Sequence, residues 1–212
     1  GDNEPQWYFV EIAAQAAGGM ATGIFVDCIP GEVKYIVKHS DSKFVVARDQ
    51  EQVDKVLAIR KDIPRVRNVF YWSHKGMWFY KDPFVMSFEQ LMNLGKKYEE
   101  MHPDLFEESI ERGKLDDICN ICYASGTTGL PKGAMLTYIN HLSMSKMLTY
   151  DKGICAGDNY LSYMSPAWAA EQMLGVGGSL AIGSTVSFPE EPETLAEDLR
   201  EISTQLMMYS SR

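Results

Sequence analysis

Tyr123-Ala124-Ser125-Gly126-Thr127-Thr128-Gly129-Leu130-Pro131-Lys132-Gly133 is the stretch of this chain on which the rest of the reading turns. Three glycines, three hydroxyl side chains and one lysine fall between Ser125 and Gly133. Glycine lets a backbone approach a ligand closely and turn its N–H groups one way. N–H groups gathered in this manner make an anion-binding concavity. Ser125, Thr127 and Thr128 add donors, Lys132 adds a mobile positive charge, and the natural guest is a polyphosphate. A Walker A loop, G-x-x-x-x-G-K-[ST], is excluded, because Pro131 precedes Lys132 and Gly133 follows where Ser or Thr would stand. Pro131 also removes an N–H and fixes φ. G-T-T-G alone would fit an ordinary turn; the full string ending in Lys132 does not.

The flanks of the loop, Ile118 to Tyr123 and Ala134 to Thr137, read as strands. The loop therefore joins two strands and does not open a helix. Upstream, helices are expected at Pro5 to Ala17, from Pro30, at Gln50 to Ile59, at Ser87 to Met101 and at Asp104 to Glu111. Ser87 and Gln90 fit a capping box. Strands are expected at Ala21 to Asp27, Phe44 to Ala47 and Val66 to Trp72. Downstream come a helix near Asn140 to Leu148, strands near Tyr160 to Met164 and Thr185 to Phe188, and a helix near Glu193 to Ile202. The alternation predicts an α/β fold of βαβ units, with a largely parallel sheet flanked by helices. The uncharged run from Gln172 to Pro189 is too broken by glycine and serine for a bilayer-spanning helix; it reads as core strands and turns. The chain starts on the brink of a helix, and Gln205 to Tyr209 reads as a strand that leads nowhere. The expectation is a cut through a larger domain at both ends.

Twenty basic against 29 acidic residues give a net charge of −9, which argues against nucleic acid as a partner. Cys119 and Cys122 form a C-x-x-C, but they lie on a predicted buried strand, and no second pair completes a zinc site. No metal-ligand set is read from the chain. A reducing, cytoplasmic location is the expectation, with peripheral membrane contact left open.

Tyr123 to Gly133 resembles the phosphate loop of the adenylate-forming superfamily, Y-T-S-G-T-T-G-x-P-K-G, and departs from it only at Ala124. Further stretches resemble the long-chain acyl-CoA synthetase branch. They are Gly1 to Gly19, similar to the helix that follows a G-D-N opening, Asp49 to Lys55, and Ser165-Pro166-Ala167-Trp168-Ala169-Ala170-Glu171-Gln172. The last is similar to the motif L-P-x-A-H-x-x-E, with Trp168 in place of its His. Trp cannot act as a base and donates only through its indole N–H.

The resemblance implies a ligase of fatty acid and lipid metabolism that uses ATP, Mg2+ and coenzyme A as cosubstrates, none held tightly. A fatty-acid carboxylate would attack the α-phosphorus of ATP, and the coenzyme A thiol would then take the acyl group from the adenylate. It implies ATP phosphate contacts from Ser125, Gly126, Thr127, Thr128, Gly129, Lys132 and Gly133. Lys132 and Thr128 would be the catalytic residues, while Trp168 and Glu171 would line the acyl and adenylate pocket. Residues 1–212 would be an incomplete N-terminal, AMP-binding domain without the small C-terminal domain, inactive alone and open to self-association through unpaired strand edges. Two alternatives stand beside this reading: another adenylating enzyme (peptide-synthetase or luciferase-like), and a non-catalytic phosphate-binding module.

Overall fold

The computed structural model describes residues 2–124 and 129–208, with side chains described except at 148–152. The chain divides into two compact units: Asp2 with Phe9–Gly113, and Asn3–Tyr8 with residues 114 onward.

The first unit is built as predicted from strands alternating with helices. Helix α1 (Pro5–Ala16), whose first residues belong to the second unit, starts on a proline, which costs nothing where the N–H has no helical partner. Strand β1 (Ala21–Thr22) is shorter than the expected Ala21 to Asp27. The chain turns at Phe25–Cys28, and the Val26 carbonyl accepts from Lys55 Nζ at 2.6 Å. Helix α2 (Pro30–His39) buries Val33, Ile36 and Val37 on one face. Strand β2 (Phe44–Ala47) leads through the Asp49 cap into α3 (Gln50–Ala58), which turns Val53 and Val56 inward. Strands β3 (Asn68–Tyr71) and β4 (Val85–Ser87) complete a parallel sheet in the order β2-β3-β4, with Val45 beside Val69 and Val69 beside Val85. The core around Val53, Val56, Val69 and Val85 also takes in Met77 and Phe84.

Strand β4 has no counterpart in the sequence reading. Its three residues run straight into the capping box that starts α4 (Phe88–Met101). In that box Ser87 N–H donates to Gln90 Oε1 at 2.8 Å and Gln90 N–H to Ser87 Oγ at 3.2 Å. Helix α5 (Leu105–Glu111) follows.

In the second unit, β5 (Ile118–Ala124) and β6 (Lys132–Thr137) form an antiparallel hairpin, unlike the parallel β2-β3-β4 sheet of the first unit. A single loop joining neighbouring strands permits only that direction. Helix α6 (Tyr138–Lys152) starts two residues before the expected Asn140, because Asn140 Oδ1 caps the Thr137 N–H at 2.9 Å. Strands β7 (Asn159–Leu161) and β8 (Thr185–Ser187) pair in parallel.

Between β7 and β8 the chain is helical, where strands and turns were expected. Helix α7 (Ala169–Glu171) widens into a π-helical segment, Gln172–Gly178, and continues as α8 (Ser179–Ile182). At Gly175 a Cβ would lie 2.2 Å from Tyr8 Oη and 2.5 Å from Glu171 Oε1. The glycine that suggests a turn is a helix position pressed against its neighbours. Helix α9 (Leu195–Ile202) closes the order. Of the strand expected at Gln205 to Tyr209, the described residues show one bridge, between Tyr160 and Leu206, while Tyr209 lies outside them.

Candidate active site

Strand β5 is held by its buried side chains Cys119, Asn120, Cys122 and Tyr123. None of the four cysteines forms a disulfide. Its ladder with β6 runs to the last pair before the loop, Tyr123 opposite Gly133 and Ala124 opposite Lys132. A Cβ on Gly133 would lie 2.7 Å from Ile121 Cγ2 and 3.2 Å from Tyr123 Cζ. Gly133 is thus demanded by packing at the foot of the hairpin. Lys132 is exposed and stands at that foot. A Cβ on Gly129, in contrast, would meet no described atom within 4 Å. Ser125, Gly126, Thr127 and Thr128 lie outside the described residues.

Lys132 and Leu136 are four apart on β6 and so project to one face, roughly 13 Å from each other along the strand. Leu136 borders a groove of about 430 Å³ that is lined also by Asn140, Ser143, Met144, Met147 and Met173. Its walls are mostly apolar, and methionines adapt to irregular apolar guests.

The second cluster starts at Ser165. The Pro166 carbonyl accepts from Gln172 Nε2 at 2.6 Å, and the Trp168 carbonyl from Gln172 N–H at 3.1 Å. Pro166 and Ala167 are buried, whereas Trp168 is 44% exposed. Glu171 is fully buried. Its Oε1 accepts from Ser162 Oγ at 2.5 Å and Tyr8 Oη at 2.9 Å, and its Oε2 from Tyr160 Oη at 2.6 Å. Asn3 Nδ2 supports the cluster through Ser162 Oγ at 2.8 Å and the Met164 carbonyl at 2.6 Å. Burial raises the Glu171 pKa, and the three hydroxyl donors oppose that shift. The Tyr160 hydroxyl is raised too, by burial first and then by the Glu171 charge.

Asn3, Tyr8, Tyr160 and Ser162 were not read as site residues in the sequence. The available signal was a carboxylate in a long uncharged run, which needs partners when buried. The partners are neutral hydroxyls up to 163 positions away, so no local pattern names them. On the other face of the π-helical segment, buried His141 meets the Gln172 carbonyl through Nδ1 at 3.1 Å. Among the described residues its Nε2 has no hydrogen-bond partner, and burial lowers the His141 pKa. Among the described residues no group of three or more His, Cys, Asp or Glu could hold a metal ion.

Curated relatives include the long-chain-fatty-acid–CoA ligase ACSBG1 of Bos taurus, 29% identical over 212 residues. Another is ACSBG2 of Xenopus laevis, 25% identical over 215 residues. These matches cover 94% and 98% of this chain, and the chain spans 28% of each relative's length. Among solved structures, the anthranilate CoA ligase AuaEII in complex with anthranoyl-AMP superposes with a TM-score of 0.74 at 18% identity, over 97% of this chain and 38% of its own. The acetoacetyl-CoA synthetase of Streptomyces lividans gives a TM-score of 0.72 at 20% identity, over 97% of this chain and 32% of its own. These structures share the fold with both units of the chain. A family model described as AMP-binding enzyme matches residues 1–212, and the chain belongs to the AMP-binding, adenylate-forming enzyme family.

Proposed function

We propose that residues 1–212 are part of the large N-terminal domain of an enzyme that activates a long-chain fatty acid. The acid's carboxylate oxygen bonds to the α-phosphorus of ATP while the bond to the β-phosphate oxygen breaks, releasing pyrophosphate. The sulfur of coenzyme A then bonds to the acyl carbon and AMP leaves. The observation that carries this reading is the hairpin. Its ladder runs to Ala124 and Lys132, so the Ser/Thr/Gly loop is closed by paired backbone with an exposed lysine at its foot.

In this reading Ser125, Gly126, Thr127, Thr128, Gly129 and Gly133 cradle the β- and γ-phosphates. Lys132, with Thr128, meets the negative charge that builds as the bond to pyrophosphate breaks. The groove along Leu136, Met144, Met147 and Met173 takes the hydrocarbon tail, on the face of β6 that carries Lys132. Trp168 forms a wall of the acid site. Glu171 is buried with both oxygens engaged, so it acts by holding the Trp168 segment and not by touching substrate. Magnesium is a cosubstrate of this chemistry, and no described residue is assigned to it.

The test is Lys132→Ala in the complete enzyme. Acid-dependent ATP–pyrophosphate exchange should fall by roughly a hundredfold or more while fatty-acid binding stays near wild type. An unchanged exchange rate refutes the role given to Lys132. The 212-residue chain alone should form no acyl-CoA, and turnover by it would overturn the reading of an incomplete domain.

A further inference from the structure

One turn of the first unit exposes what protein surfaces seldom do. Between β3 and β4, Met77–Phe79 form a single 3-10 turn. Met77 is buried in the core cluster, yet Trp78 and Phe79 are 68% and 81% exposed. Their rings lie 6.1 Å apart, edge to face. The turn is fixed from beneath. Gly76 enters it with φ +81°, and a Cβ there would meet Gln50 Oε1 at 2.1 Å. The Tyr80 hydroxyl closes the turn onto Asp54.

Lys75 and Lys81 flank the two aromatics, and both are exposed. The carboxylates close by are engaged elsewhere. Asp82 pairs with Arg60, Asp54 accepts from Tyr80, and Glu89 meets His74. Among the described residues, neither lysine has an ion-pair partner. Two rigid aromatics between two uncompensated lysines match a bilayer interface. Trp favours the headgroup boundary, Phe the acyl region beneath it, and lysines the anionic headgroups. The net charge of −9 does not forbid such contact, because screening within about 8 Å makes the local charge decide.

We propose that the Lys75–Lys81 turn docks the protein on an anionic bilayer surface, with Trp78 and Phe79 inserted and the two lysines on headgroups. This docking does not depend on which acid the enzyme activates. The test mixes the 212-residue chain with phosphatidylcholine vesicles, with and without about 30 mol% phosphatidylserine, and reads co-sedimentation. Wild type should bind the anionic vesicles, and added salt should weaken binding. The variant W78S/F79S should bind at least tenfold more weakly. K75E/K81E should bind at least about thirtyfold more weakly, at roughly 1 kcal/mol per lysine lost. All four side chains are exposed, so circular dichroism and thermal unfolding should match wild type. Absence of wild-type binding, or binding that neither variant changes, overturns the proposal. So does a W78S/F79S effect on self-association alone, which would assign the turn to a second copy of the chain.

Discussion

Replacing Glu171 by alanine should destabilise the second unit by about 3 kcal/mol, and the network around it shows why. Tyr160 is 1% exposed and loses the acceptor of its hydroxyl. Ser162 keeps Asn3 as a donor to it but loses the acceptor for its own proton. Tyr8 still reaches Ser162 Oγ at 3.2 Å. Two buried hydroxyl protons are therefore orphaned, at roughly 1–3 kcal/mol each. Relief of a desolvated charge works in the opposite direction, which places the net near the lower half of about 2–6 kcal/mol. Glu171→Gln keeps the shape but turns one acceptor oxygen into a donor, so it orphans fewer hydroxyl protons than alanine and should cost about 1–2 kcal/mol.

The pH dependence separates charge from shape. The folded pKa of Glu171 is raised above its ordinary 4.5. Its contribution is then fully present below that value and is lost as pH rises through the folded pKa. Urea unfolding of wild type and Glu171→Gln at several pH values measures the difference. Wild type should lose ground to the glutamine variant as pH rises above 4.5. The opposite slope would mean that the three hydroxyls outweigh burial. An alanine variant within about 1 kcal/mol of wild type would refute the network's structural role.

Gly175→Ala should cost about 2–4 kcal/mol in the same urea assay, because its Cβ would collide with Tyr8 Oη at 2.2 Å inside a packed helix. Gly133→Ala should cost about 1–3 kcal/mol, and in the complete enzyme should lower the proposed adenylation in parallel, since its Cβ meets Ile121 and the Tyr123 ring. For His141, burial depresses the folded pKa below the ordinary 6.5. Its contribution is present above that pH and is lost as pH falls through the folded value. His141→Asn, whose amide can still donate to Gln172 O, should flatten that acid limb; an unchanged limb would exclude His141 as its source.

The two strands of the hairpin were legible in the sequence because their residues declare strands on both sides of a glycine-rich stretch. The glycines, hydroxyls and lysine between them are contiguous in the chain, although Ser125 to Thr128 lie outside the described residues. The capping box at Ser87 and Gln90 was legible for the same reason, since both partners lie within one helical turn. The stretch Gln172–Gly178 was not. Glycine lowers helix propensity by about 1 kcal/mol per residue, so local preference points away from a helix. What overrides it is tertiary: Tyr8 and Glu171 press on Gly175, and His141 bonds the Gln172 carbonyl. The strand from Ala21 also ends early, at Thr22, directly before Gly23, a residue that weakens a strand interior.

The division between legible and hidden follows a division of labour within the proposed site. In the proposed function phosphates would be recognised by backbone and side chains of one loop, so their signature would be local in the chain. The proposed acid site would instead rest on the Trp168 segment, whose support is built from distant pieces: Glu171, Tyr8, Tyr160 and Ser162, none of which meets solvent freely. Lys132 and Glu171 share no hydrogen-bond partner among the described contacts. Substitutions at the two positions should therefore act nearly additively in free energy. In the complete enzyme, loss of Lys132 should appear in the rate of adenylation. Loss of the Glu171 network should appear in how the acid is held, through the position of Trp168. Strong non-additivity in the double variant would mean that the hairpin foot and the Trp168 segment move as one element, and that phosphate and acid recognition are a single mechanical unit.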